Sequence, residues 1–376
     1  MKTVLIVLMS TMVLVGCNSQ DKENTILAKD LQSAIAEFEN DLTKDLSSNV
    51  SISGVIVSEK EIIWSKAFGI SDTEAQVKAD TTIIYRTGSI SKSFTAFLMM
   101  LLVEEGTIKL NDPVEKYFPE IKKLKGYSDS TIITFKQLAA HTSGLIREPN
   151  LKNAATGPIS DWEDKILESI PKTNFKYKPD ERFSYSNIGY GILGLAISRA
   201  ANKPFMDLVE EKIFEPLNME NSYFVVPENK MSKLSKGLAR GSLGTFDREK
   251  PKREHKGRGY KVPNGGIYST PNDLAKFMLC NMGLSKKLLS KENMTLMQKS
   301  QSPGDKTPSY GLGFGIQQDS LLTVIGHGGM VAGYMAALSF DKEKSNGVIL
   351  MRNYSGGEPN IMALSLNLLK ALNELN

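Results

Sequence analysis

Arg86-Thr87-Gly88-Ser89-Ile90-Ser91-Lys92-Ser93-Phe94-Thr95-Ala96-Phe97-Leu98 sets a serine and a lysine three residues apart at the mouth of an apolar run. Three residues is close to one helical turn, so both side chains share a face. From Phe94 to Val103 the run is apolar almost all round, which reads as a helix buried in the middle of the protein. A serine hydroxyl is a weak nucleophile until a neighbour takes its proton. A lysine can be that neighbour only where burial or nearby charge leaves its amine neutral. Free backbone N–H groups at a helix start can also stabilise an oxyanion. The same spacing recurs at Ser19/Lys22 and Ser339/Lys342, but neither copy leads into an apolar helix.

Outward from this run the elements change character. An amphipathic helix carrying Ile26, Leu27, Leu31, Ile35, Phe38 and Leu42 comes first, followed by strands at 50–58 and 61–70. Asp112-Pro113 predicts a helix start, and Thr134 with Gln137 a capping box. Further helices are expected at 188–201, 204–214 and 271–281, the last capped by Thr270 with Asp273 at its third position. Strand character returns at 311–317, 321–326, 334–341 and 347–353. A closing helix puts Ile361, Leu364, Leu368, Leu369 and Leu372 on one face. Strands that begin and end a chain must meet to form one sheet. The expected fold is therefore α/β of the α+β kind. An antiparallel sheet from both chain ends is flanked by the terminal helices, with a mainly helical domain inserted between the second and third strands. The sheet domain takes 26–88 and 262–376 and the insertion 89–261. The groove between them is where a ligand site is expected.

The N-terminus reads as an export signal over residues 1–16: Lys2, an apolar stretch from Val4 to Val15, then Leu14-Val15-Gly16-Cys17. That ending resembles a bacterial lipoprotein signal, which predicts lipidation of Cys17, a short tether over 17–25, and an exported protein held at a membrane by its acyl chains. The sequence has two cysteines, so an acylated Cys17 leaves only Cys280, a small residue in an apolar stretch, and no internal disulfide. Of 46 basic and 42 acidic residues the signal removes Lys2 alone, leaving 45 against 42 and a balance of +3. That balance argues against nucleic acid as a partner. The locally basic stretch 248–261 reads as an exposed loop.

Two further motifs carry chemistry. Tyr185-Ser186-Asn187 precedes the 188–201 helix and is the chain's only Y-x-N. A tyrosine beside an ammonium can serve as a base, and an asparagine amide can bond both a lysine and a substrate carbonyl. Gly326-His327-Gly328-Gly329-Met330 is expected at the start of a strand, where glycines let a substrate backbone lie close. The Met330 N–H could complete an oxyanion hole with that of Ser89.

In the order S-x-x-K, Y-x-N, H-G-G, these motifs resemble those of the serine β-lactamase and penicillin-binding-protein superfamily. The nearest likeness is its class C β-lactamase-related branch of esterases and D-amino-acid peptidases. Supporting stretches include Leu110-Asn111-Asp112-Pro113-Val114, Leu138-Ala139-Ala140-His141-Thr142-Ser143-Gly144-Leu145 and Gly265-Gly266-Ile267-Tyr268-Ser269-Thr270-Pro271. The resemblance implies a β-lactamase-like catalytic unit with Ser89 as acylated nucleophile and Lys92 as its proton partner. Tyr185 would be the shared base, Asn187 a contact to substrate and lysine, and His327, Gly328, Gly329 and Met330 the substrate-binding strand. Either Lys92 or Tyr185 could take the serine proton. Relatives acting on β-lactams or D-alanyl peptides usually have K-T-G at the third motif, and no K-T-G occurs in this chain. A neutral histidine weakens carboxylate recognition and tilts the expectation toward esters or uncharged amides. D-peptide or β-lactam hydrolysis is the alternative, and a ligand sensor that does not hydrolyse is the rival from another class. No cofactor is expected. There is no G-x-S-x-G elbow, and the three histidines, His141, His255 and His327, lack metal-ligand spacing. His141 reads as a structural residue ending its helix.

Overall fold

The computed structural model describes residues 19–242, 245–304, 309–318 and 322–375, with side chains described from residue 30 onward. The signal 1–16 and Cys17 lie outside the described residues. Helix α1 (Ser19–Thr43) leads into strands β1 (Ser51–Ser58), β2 (Glu61–Asp72) and the two-residue β3 (Val77–Lys78). After a long helical stretch come β4 (Ser309–Tyr310), β5 (Gly315–Gln318), β6 (Thr323–Val331), β7 (Tyr334–Asp341), β8 (Asn346–Arg352) and the closing helix α6 (Ile361–Leu375). The stretch between contributes α2 (Ser91–Glu104), α3 (Phe135–Ala139), α4 (Asn187–Ala200) and α5 (Pro271–Met282).

The strands form one eight-stranded antiparallel sheet in the order β3-β2-β1-β8-β7-β6-β5-β4. The two chain ends meet in the pairing of β1 with β8, Ile52 opposite Arg352 through Ser58 opposite Asn346. Both strands are buried almost throughout because both faces are covered. Ile52, Ile56, Val348 and Leu350 pack with Phe38, Leu42, Leu368 and Leu372 of α1 and α6. Val55, Val57, Ile349 and Met351 turn to the opposite face, where they join Phe277 and Met278 of α5 and the larger core. Alternate side chains of a strand point to opposite faces, so two covers need two apolar sets. Asn353 closes the seam. Its Oδ1 accepts from Ser51 N at 2.7 Å, and its Nδ2 donates to the carbonyls of Ile70, Ser71 and Lys236.

α2 is buried from Ser91 to Leu102, as its apolar sequence requires. The Thr134/Gln137 capping box opens α3, and Thr270 accepts from Asp273 N to cap α5. Several boundaries differ from expectation for local reasons. α1 begins at Ser19 rather than near Ile26, since no proline or glycine interrupts Ser19–Thr43. Asp112-Pro113 opens only a single turn, Val114–Lys116, because Val114 N donates to Ile133 O and holds the chain extended at Pro113. The expected 204–214 helix breaks into Phe205–Val209 and a wider turn, Glu210–Phe214. The expected 311–317 strand splits, Ser309–Tyr310 lying before the turn and Gly315–Gln318 after it, with Gly313 at φ +82° between them. The basic stretch is not a loop. It holds the helix Glu249–His255, where Glu254 pairs with buried Arg86 at 3.0 Å and His255 bonds Tyr268 and Tyr334.

Asn353→Ala should leave the Ser51 amide without this acceptor and take a donor from the carbonyls of Ile70 and Lys236, costing about 2–3 kcal/mol. Urea unfolding should show a lower midpoint at unchanged slope. An unchanged midpoint would remove Asn353 from the seam.

Candidate active site

Ser89 sits in a single turn, Gly88–Ile90, just ahead of α2. Thr87 ties that turn to the body: its Oγ1 donates to Ile267 O at 3.0 Å, and Ser91 Oγ accepts from Ile267 N at 3.2 Å. Gly88 takes φ +55°, a left-handed conformation that suits glycine. A Cβ there would lie 2.8 Å from Met330 N, and one on Gly329 would lie 1.9 Å from Thr87 O. Two glycines thus let β6 lie directly against the serine turn. The opening for this contact comes from the sheet: β5 pairs with β6 only from Thr323 to Gly326, so beyond Gly326 the strand edge is free. The His-Gly-Gly motif therefore lies in mid-strand and not at the strand start, a correction to the expectation.

Lys92 is fully buried, and its Nζ donates to Ser89 Oγ and to Asn264 O, each at 3.1 Å. Burial above all, with the charges of Lys261, Arg258 and Arg147, holds its pKa well below the lysine norm. No carboxylate bonds it among the described residues. Tyr185 reaches the same point: Lys92 Nζ lies 4.9 Å from its ring centre, and Ser89 is near enough to its phenol to favour the phenolate. Burial pushes the phenol up to about 12, outweighing Ser89 and the Arg147 charge. Tyr185 is therefore a protonated phenol at neutral pH, not a resting phenolate. His327 is held neutral, its pKa down to about 3, by burial and by Lys92. Its Nε2 meets Tyr310 Oη at 3.0 Å and its Nδ1 the Gly328 carbonyl at 2.6 Å.

Ser89, Lys92, Tyr185, His327, Gly328, Gly329 and Met330 thus converge. Asn187 stands beside them with different bonds from those expected. Its Nδ2 donates to Glu148 Oε1 at 2.6 Å and its Oδ1 is buried without a partner. The lysine takes the Asn264 carbonyl instead, while Asn264 Nδ2 donates to Asn187 O at 2.8 Å. Glu148 also accepts from Tyr260 and Lys261, and these donors keep it ionised although burial opposes that. Asn264 and Glu148 escaped the sequence reading: one lies in a glycine-rich turn and the other in an ordinary polar run, with no spacing to mark them.

His141 does more than end a helix. It holds φ +59°, and its ring stacks 4.2 Å from that of Tyr185. Its carbonyl accepts from Ser184 N at 2.8 Å and its Nδ1 from Ser186 N at 3.0 Å, bracketing Tyr185 on both sides. A cleft of about 820 Å³ beside Lys125 and Tyr177 contains none of these groups. A cavity of about 410 Å³ opens at Tyr185 and His327.

A sheet closed by both chain ends, a buried helix headed by Ser-x-x-Lys and a tyrosine from the insertion define the architecture of penicillin-binding-protein-like serine hydrolases. The beta-lactamase family model matches residues 41–372, and the chain belongs to that family. It is 30% identical over 336 residues to Beta-lactamase-like protein 2 of Dictyostelium discoideum, covering 85% of this chain and 59% of that protein. It is 27% identical over 334 residues to Protein flp of Staphylococcus aureus strain N315, covering 88% and 64%. The chain spans about three fifths of the length of the curated relatives it matches. Its fold is similar to the octameric penicillin-binding protein homologue from Pyrococcus abyssi, with a TM-score of 0.73 and 27% identity over 94% of this chain and 77% of that one.

His141→Ala should admit water beside Tyr185 and lower its phenol from about 12 toward the ordinary 10. Phenolate absorbance titrated in His141→Ala, with and without Tyr185→Phe, isolates that group. A phenol still at about 12 would show that His141 does not shield it.

Proposed function

We propose that the protein is a serine hydrolase that forms an acyl-enzyme on Ser89 and acts on esters or amides bearing no charge near the scissile bond. The observation that carries this reading is the buried amine of Lys92, 3.1 Å from Ser89 Oγ and unpaired with any carboxylate among the described residues. A neutral amine there is a proton acceptor, whereas the Tyr185 phenol is a proton donor. Lys92 takes the Ser89 proton as Oγ bonds to the carbonyl carbon. The oxyanion forms between the amides of Ser89 and Met330, which the two glycines bring together. Tyr185 then protonates the departing oxygen or nitrogen and is reprotonated through Lys92. Water hydrolyses the acyl group to complete the cycle.

The neutral His327 supports the substrate preference. Where a lysine would offer a fixed cation to a substrate carboxylate, this chain offers an uncharged ring already bonded at both nitrogens. Esters and uncharged amides therefore lead, with D-alanyl peptides and β-lactams as comparators. The reading also keeps export and a lipid anchor on Cys17. Cys17→Ser should move the protein from the membrane fraction to the soluble one, and continued attachment would sink the anchor.

With p-nitrophenyl acetate, a one-equivalent burst followed by steady turnover is expected, and Ser89→Ala should lose both. A burst without turnover would favour a sensor. Activity retained in Ser89→Ala would remove the site. kcat/KM should rise with pH as Lys92 loses its proton, well below the ordinary 10.5, and fall only as Tyr185 ionises near about 12. Lys261→Met removes a cation that disfavours the Lys92 ammonium, so the acid limb should move to higher pH. A limb that stays or moves down would refute Lys92 as the base.

A further inference from the structure

Among the described residues, the cavity of about 410 Å³ beside Tyr185 has no lysine, arginine, aspartate or glutamate in its lining. Its apolar walls are Phe183, Tyr310, Ile316, Val324 and Met362, with the uncharged polar side chains of Ser309, Gln317 and Ser339 among them and Gly326 and Gly328 exposing bare strand. The polar groups of the wall nearest the reacting centre already satisfy one another. His327 bonds Tyr310 through one nitrogen and the Gly328 carbonyl through the other. A Cβ on Gly328 would lie 2.6 Å from Met362 Cε, so a larger residue there would push the flexible end of that side chain aside. The side chain of α6 thus closes over the strand where another residue would hold it off. The neighbouring cleft differs: beyond Ser309 and Ile316 it is lined by Lys299, Lys342, Asp341 and Glu343. Freedom from charge is a property of the Tyr185 cavity, not of this whole edge of the sheet.

Which part of a substrate lies there follows from proton transfer. A group that protonates a departing atom must lie within hydrogen-bond reach of it. The leaving group is therefore on the Tyr185 side of Ser89, where this cavity opens. A neutral, aromatic and aliphatic cavity of this size suits a single ring or a branched alkyl chain. A carboxylate there would gain no cation from the described residues, only the neutral donors of Ser309, Gln317 and Ser339.

We propose that this cavity receives the leaving group, and that it selects uncharged aryl or branched-alkyl alcohols and amines while rejecting those that carry a carboxylate. This rests on the acyl-enzyme reading at Ser89. In the ester case, Ser89 Oγ bonds to the acyl carbon, the bond to the alcohol oxygen breaks, and that oxygen leaves as the alcohol with the proton from Tyr185. The acid is released later by water.

The test keeps the acyl group constant and changes only the charge of the leaving group, comparing phenyl acetate with 3-carboxyphenyl acetate, whose phenols have similar acidity. kcat/KM should favour phenyl acetate by about 30-fold or more in the wild-type chain, following the 10–200-fold range of pocket discrimination. Met362→Lys places a cation at the cavity rim and should cut the ratio to roughly 5 or less. Gln317→Lys, at another lining position, serves should the first variant fail to fold. A wild-type ratio near 1, or a ratio that neither lysine changes, overturns the proposal. Ser89→Ala separates the cavity assignment from the Ser89 reading. Hydrolysis lost in Ser89→Ala but without leaving-group discrimination in the wild-type chain refutes the cavity assignment alone, and hydrolysis of either ester retained in Ser89→Ala refutes the Ser89 reading as well.

Discussion

Everything in this molecule is arranged around the pairing of β1 with β8, the contact that joins the two ends of the chain. Once those strands are neighbours, the sheet is covered on one face by α1 and α6 and on the other by α5 and the helical stretch. The long stretch between β3 and β4 must then leave and rejoin the sheet, which brings the head of α2 against β6. β6 can receive it only because β5 stops pairing at Gly326. A sheet edge with free backbone groups beside a serine turn is thus a consequence of closure, and the glycines at 88 and 329 set how close the two can come.

The second constraint is electrostatic. An amine removed from water without a counter-ion is costly as an ammonium, and so becomes neutral. Lys92 has a carbonyl, a hydroxyl and tyrosine rings around it, and cations in its wider surroundings. Glu148, the nearby acid, is occupied by Tyr260, Lys261 and Asn187 and so does not neutralise that cationic field at the lysine. The same burial that depresses the amine raises the phenol. One dry site therefore yields an acceptor and a donor on either side of one hydroxyl. Buried strain and unsatisfied groups gather here too: His141 at φ +59° with Nε2 unpartnered, and Asn187 with Oδ1 unpartnered.

The groove continues this theme of neutrality. His327 stands in the third motif without charge, and among the described residues the cavity beside it has none in its walls. Family membership leaves a wide range of acyl substrates open, so selectivity has to come from such local features rather than from the fold.

Much of this was legible in the chain. The apolar run after Ser89, the alternation and continuity of the strands, and the capping residues Thr134 and Thr270 are local patterns, and local patterns are set by backbone geometry and solvent. Residue types and their spacing also marked Ser89, Lys92 and Tyr185 as chemically able, and the family resemblance added His327. What they could not determine was which neighbour completes each bond. Asn264 rather than Asn187 holds the lysine, Glu148 turns the Asn187 amide, and His141 brackets Tyr185, because those partners come from segments far apart in the chain. The basic stretch became a helix docked on Arg86 for the same reason. Protonation belongs to this second group: whether an amine or a phenol is the base depends on burial and field, which exist only once the chain has closed.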